Sequence, residues 1–131
     1  MNRNIILVAI GSMIGGVARY LAAYFITKSF LTAFPYGTFA VNIAGCFAIG
    51  LTFGFAERFN WFSPDLRLFL ATGFCGGFTT FSSFAYENIQ LLQDKDYLTF
   101  AAYSGGSFVL GLRAIVSNQR PVLLPQIQIR R

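Results

Sequence analysis

Gly73-Phe74-Cys75-Gly76-Gly77-Phe78-Thr79-Thr80-Phe81-Ser82-Ser83-Phe84 lies in the middle of an apolar segment, yet its composition is not that of a simple membrane-spanning helix. The Gly76-Gly77 pair lowers helix stability, and the hydroxyls of Thr79, Thr80, Ser82 and Ser83 compete for the backbone's own hydrogen bonds. The stretch therefore predicts a helix break. Inside a bilayer, irregular backbone persists only where it is buried in protein or lines a wet cavity, so a break at mid-membrane depth marks a site.

The composition puts that stretch in a membrane. Of 131 residues, 55% are hydrophobic and only 11% charged, and the mean hydropathy is +0.57, too apolar for a soluble domain of this length. At about 20 apolar residues per crossing, four spans with short connections use up the chain. The expected fold is all-α: an integral membrane protein with spans near residues 5–26, 38–55, 66–92 and 97–116, the third one broken, and a polar, irregular tail over 117–131. The apolar run after Arg3 is too long for a signal-peptide core and lacks a small-residue cleavage site, so it reads as a retained first span. Four thin helices fill their own centre with side chains, and a transport role therefore argues for an oligomer. The formal charge of +5 comes from basic residues scattered through loops and tail without a stripe. Membrane flanking explains them, and nucleic acid is not an expected partner. Cys46 and Cys75 fall inside spans as small apolar residues, and the chain has no histidine, so neither a disulfide nor a zinc site is expected.

Along the chain, Gly11, Ser12, Gly15 and Gly16 place small residues where a second helix can approach closely. Arg19 follows on the same face, and two readings stand side by side: it faces the interior or a wet vestibule, or it snorkels to the headgroups. Phe34-Pro35-Tyr36-Gly37 reads as a turn with Thr38 as the N-cap of span two. Asn42 should point inward, since an amide facing lipid is unsatisfied, and interhelical bonding is its commonest role. Cys46, Gly50 and Gly54 continue the small-residue spacing. A polar link around Trp61 and Pro64 follows, with the tryptophan as interfacial anchor. Phe81, Phe84 and Glu87 share one face of span three, Asp94-Lys95-Asp96 is the next turn, and Tyr103, Ser107 and Gly111 form a stripe on span four.

The inward candidates are Asn42, Thr79, Thr80, Ser83, Tyr103, Ser107, the glycine amides and the phenylalanine edges, with Arg19 nearby. Neutral donors and electropositive ring edges suit a small anion. Glu87 is the one carboxylate in that set, and a helix-end role serves it as well as a pathway role. The break also frees carbonyls for a hard cation such as sodium. Those of Gly76 and Thr79 could clamp one ion between two subunits.

Three blocks carry a family resemblance: Gly15-Gly16-Val17-Ala18-Arg19-Tyr20; Gly37-Thr38-Phe39-Ala40-Val41-Asn42 with Gly45-Cys46; and the span-three stretch with Glu87. In this order they closely resemble the CrcB/Fluc fluoride channels. The resemblance implies an antiparallel, dual-topology homodimer in the bacterial inner membrane that lets fluoride leave the cytoplasm passively. It implies Phe81 and Phe84 as pathway rings, Asn42 as pore amide, Tyr103 and Ser107 as a polar track, and Thr80 and Ser83 as hydroxyls near the break. Arg19 would stand at the vestibule, and the carbonyls of Gly76 and Thr79 would hold a structural Na+. Gly111 stands where some members carry another hydroxyl, which shortens the track here.

The flanking charges are nearly balanced without the tail, Arg3, Arg58 and Arg67 against Lys28 and Lys95, as insertion in both orientations requires. Arg120, Arg130 and Arg131 would tilt that balance. Two other readings of a four-span chain are a small proton-coupled multidrug transporter and a non-transporting structural subunit. The first wants a membrane carboxylate where span one offers Arg19. No nucleophile and base pair suggests an enzyme.

Overall fold

The computed structural model describes the backbone of residues 2–129 and the side chains of residues 2–118. Its elements are α1 (Asn2–Ser29), α2 (Tyr36–Arg58), α3 (Pro64–Arg67), a π-helical segment (Leu68–Cys75), α4 (Gly76–Phe78), α5 (Phe81–Gln93) and α6 (Tyr97–Ile129), with no strand among the described residues. Four stretches are long and apolar enough to cross a bilayer: Asn2–Ser29, Tyr36–Arg58, Pro64–Gln93 and Tyr97–Asn118. The chain is a multi-pass membrane protein.

Backbone contact through small residues sets the packing of α1. A Cβ on Gly11 would lie 2.6 Å from the Phe69 carbonyl oxygen, and one on Gly15 would overlap the Phe74 carbonyl oxygen. Ser12 Oγ adds a bond of 3.3 Å to the Gly73 carbonyl. Gly16, expected in the same contact, has open space around it. On the other side of α2, Gly50 and Gly54 lie against the backbone of α6 at Ile115 and Asn118. Large apolar side chains such as Ile5, Met13, Leu21 and Phe25 stay exposed and form the lipid-facing shell.

Span three is not one rod. Pro64 at its first turn and Ser63 as N-cap, whose Oγ accepts from the Leu66 amide, start it cleanly. It widens into the π segment and then stops at Thr79 (φ −85, ψ 156) and Thr80 (φ −146, ψ 123), both extended. The break thus falls inside the expected stretch, on the two threonines and not on the glycine pair. Gly76 and Gly77 are helical, and Gly77 serves close approach instead, since a Cβ there would overlap the Ser12 carbonyl oxygen. The interruption has a topological consequence: the half before it packs on α1, the half after it on α6.

Two further expectations change. Span two begins at Tyr36, with Pro35 ahead of it and no side-chain cap, because Thr38 is engaged elsewhere. The fourth helix continues to Ile129 through the region expected to be irregular, and no glycine or proline stands between Leu112 and Arg120. Arg130 and Arg131 lie outside the described residues.

Candidate functional site

The break is held by an accounting of backbone groups. In an uninterrupted helix the amide of Thr80 would meet the carbonyl of Gly76, and the amide of Phe81 that of Gly77. Here Thr80 N donates to Asn42 Oδ1 at 2.8 Å, and Asn42 Nδ2 donates to the Thr80 carbonyl at 3.1 Å. One side chain on α2 thus satisfies both main-chain groups of an extended residue, which is what buried backbone outside a helix needs. Arg19 Nε takes the Gly77 carbonyl at 3.2 Å, so this arginine turns toward span three. The Gly76 carbonyl is left without its helical amide.

The hydroxyls close the rest of the turn. Thr79 Oγ1 returns to the Cys75 carbonyl at 2.9 Å, and Gly45 makes room for the Thr79 methyl, which a Cβ there would overlap. Thr80 Oγ1 caps α5 by accepting from the Ser83 amide at 3.3 Å.

Beside the break opens a groove of about 470 Å³, lined by Asn42, Gly45 and Cys46 of α2, Cys75 and Gly76, Thr79 to Phe81, Phe84, and Ser104, Ser107 and Phe108 of α6. Phe81 is 78% exposed and its ring lies 6.1 Å from that of Phe84, which in turn packs 5.0 Å from Tyr103. Ser107 Oγ is buried and unpartnered among the described residues. The structure therefore gathers Asn42, Gly76, Thr79, Thr80, Phe81, Phe84 and Ser107 around one groove. Ser83 sits just behind it.

Tyr103 does not line that groove. It is fully buried, boxed by Phe34, Phe39 and Phe84, and its hydroxyl donates to Glu87 Oε2 at 3.2 Å. Thr38 Oγ1 donates to the other carboxylate oxygen at 2.5 Å. Glu87 is thus a fixed acceptor for two hydroxyls inside the membrane, and it also reaches a polar recess bounded by Gln90, Gln93, Asp94 and Asp96. Residue reading from the sequence missed Thr38 in this role, and missed Asn88 and Ser104. A usable signal was present: Glu87 and Tyr103 are symmetric about Lys95 in the Asp94-Lys95-Asp96 turn, as facing residues of a helical hairpin are, and Asn88 with Ser104 is centred one residue further on. Lys95 there takes φ 59.

Comparison with known proteins bears on this geometry. A family profile described as "CrcB-like protein, Camphor Resistance (CrcB)" matches residues 6–118. The chain belongs to the CrcB family. Among relatives of this CrcB chain, a protein of Flavobacterium psychrophilum named fluoride-specific ion channel FluC is 51% identical over 112 residues, covering 86% of this chain and 90% of the relative. One from Chlorobium phaeobacteroides with the same name is 48% identical, with coverage of 82% and 84%. A third, from Azobacteroides pseudotrichonymphae, also bears that name and is 41% identical over 116 residues, with coverage of 88% and 93%. The match in this CrcB chain includes all four spans as far as Asn118 and every groove residue named above.

Proposed function

We propose that this chain is a subunit of a fluoride-selective channel, not an enzyme, and that it conducts fluoride passively out of the cytoplasm across a bacterial inner membrane. One observation carries the pathway: a stapled helix break whose neighbouring ring, Phe81, is left exposed on a groove that also holds a hydroxyl, that of Ser107, without a partner among the described residues. A desolvated fluoride needs donors that keep their protons and present no competing negative charge. Phenylalanine edges and the Ser107 hydroxyl meet both conditions, and Asn42 keeps one N–H beyond its two bonds to Thr80. The guanidinium of Arg19, anchored through Nε alone, supplies positive potential near the break. Thr80 and Ser83 shape the turn that aims the rings, and Tyr103 supports Phe84 from behind.

The groove is open along one flank, so a single chain makes only part of a conduit. An antiparallel homodimer, favoured by the near balance of flanking charge once the tail is left out, would close it. The main-chain oxygens at the break fit a structural Na+: the Gly76 carbonyl has lost its helical amide to Asn42 and lines the groove, as does Thr79, and hard oxygen donors without formal charge suit sodium. Gly76 and Thr79 would hold it, and when bound it would neutralise carbonyl dipoles converging from two subunits.

The test is purified protein in liposomes with a fluoride electrode, triggered by a potassium gradient and ionophore. Fluoride efflux without chloride efflux is expected. Equal release of both halides would overturn the selective reading, and release of neither would overturn conduction.

A further inference from the structure

A second amide in span three is used as fully as Asn42. Asn88 lies on α5 one turn after Phe84 and is 7% exposed. Its Nδ2 donates to the Phe84 carbonyl at 2.9 Å, and its Oδ1 accepts from Ser104 Oγ, also at 2.9 Å. The orientation of that amide is forced by chemistry. A carbonyl only accepts, so the nitrogen of Asn88 must face Phe84; its oxygen then faces α6, and Ser104 commits its single proton there.

Ser104 lines the groove, and with its proton turned away it offers the groove lone pairs alone. Ser107, three residues on along the same wall, is the opposite case: its Oγ is buried without a partner among the described residues, so its proton is free. The neighbouring hydroxyl of Tyr103 is committed to Glu87.

We infer that Asn88 is a positioning residue for conduction: by holding the Ser104 proton out of the groove, it leaves Ser107 as the hydroxyl donor that α6 presents to a passing anion. This rests on the groove being the fluoride path. A conducting site must bind well enough to admit the ion and weakly enough to release it. Two hydroxyl donors separated by about 4.5 Å of helix rise would both reach a small anion and slow its departure. Asn88 prevents the second one from forming.

The experiment is fluoride efflux from liposomes holding the full-length protein as wild type, Asn88→Ala, and the Asn88→Ala/Ser104→Ala double variant, with elution profiles to confirm folding. Asn88→Ala is expected to slow efflux by about tenfold or more, the effect of one added hydrogen bond to a charged group. Removing the liberated hydroxyl in the double variant should restore most of that rate. A residue that merely braces the hairpin predicts the reverse, since the second substitution removes yet another contact. A double variant as slow as Asn88→Ala, or an Asn88→Ala rate equal to wild type, overturns the inference. Asn88→Leu, closer in volume, repeats the comparison if the alanine variant does not elute as a folded species, and failure of both shows a bracing role and overturns it equally. Phe81→Ile run alongside separates the two readings: if it leaves efflux intact, the groove is not the path, whereas if it abolishes efflux and the double variant stays slow, only the role of Asn88 fails.

Discussion

Asn42 and Phe81 do different work one residue apart in space and show how a side chain earns its place at the break. Asn42 satisfies both backbone groups of Thr80, so Asn42→Leu strands a donor and an acceptor in a low-dielectric setting. A loss of about 2–3 kcal/mol is expected, read as a lower thermal midpoint in detergent together with lost fluoride efflux. Phe81 makes no comparable structural contact, being 78% exposed. Phe81→Ile should therefore leave the midpoint close to wild type while abolishing efflux, because it keeps apolar bulk and removes the electropositive ring edge. A midpoint that falls with efflux would show that the ring braces the fold instead.

At the scale of elements, the crossing of α1 over the first half of span three depends on missing side chains. Gly11→Val would drive a methyl-bearing carbon to 2.6 Å from the Phe69 carbonyl oxygen, and since both partners are backbone, the helices must separate. Destabilisation of about 1–3 kcal/mol is expected. Gly16→Ala, one turn away with nothing within 4 Å, should be neutral or gain up to about 1 kcal/mol from helix propensity. Thermal scans of the two variants check this, and equal effects would refute the packing described. The other half of span three answers to α6 through two side-chain bonds across the hairpin, Tyr103 to Glu87 and Ser104 to Asn88. One interruption lets a single span serve two neighbours.

For the whole molecule the question is how many copies make the conduit. Its groove opens to one side with Phe81 and Phe108 exposed along it. If antiparallel pairing closes the groove, two variants carrying extra lysines at opposite membrane faces, each forced into one orientation, should be inactive when expressed alone and active together. Activity of either variant alone would exclude an antiparallel pair.

The sequence by itself determined the medium, the number of crossings and the existence of an interruption in the third, because hydropathy, span length and glycine and hydroxyl content are properties of short local windows. It also marked Asn42 and Ser107, whose polar groups are out of place in lipid, and Phe81 and Phe84 through their position directly after the break. Only the tertiary structure decided where the interruption falls. Gly76 and Gly77 remain helical, Gly77 in close contact with α1 at Ser12, while Thr79 and Thr80 extend because Asn42, 38 residues earlier, takes the amide and the carbonyl of Thr80. The same holds for Thr38, drawn from an expected cap to Glu87, and for Tyr103, expected on a stripe with Ser107 and found buried against Glu87. In each case a hydrogen-bond partner distant in sequence outbids the local one, and which partner comes within reach is a property of how the helices cross.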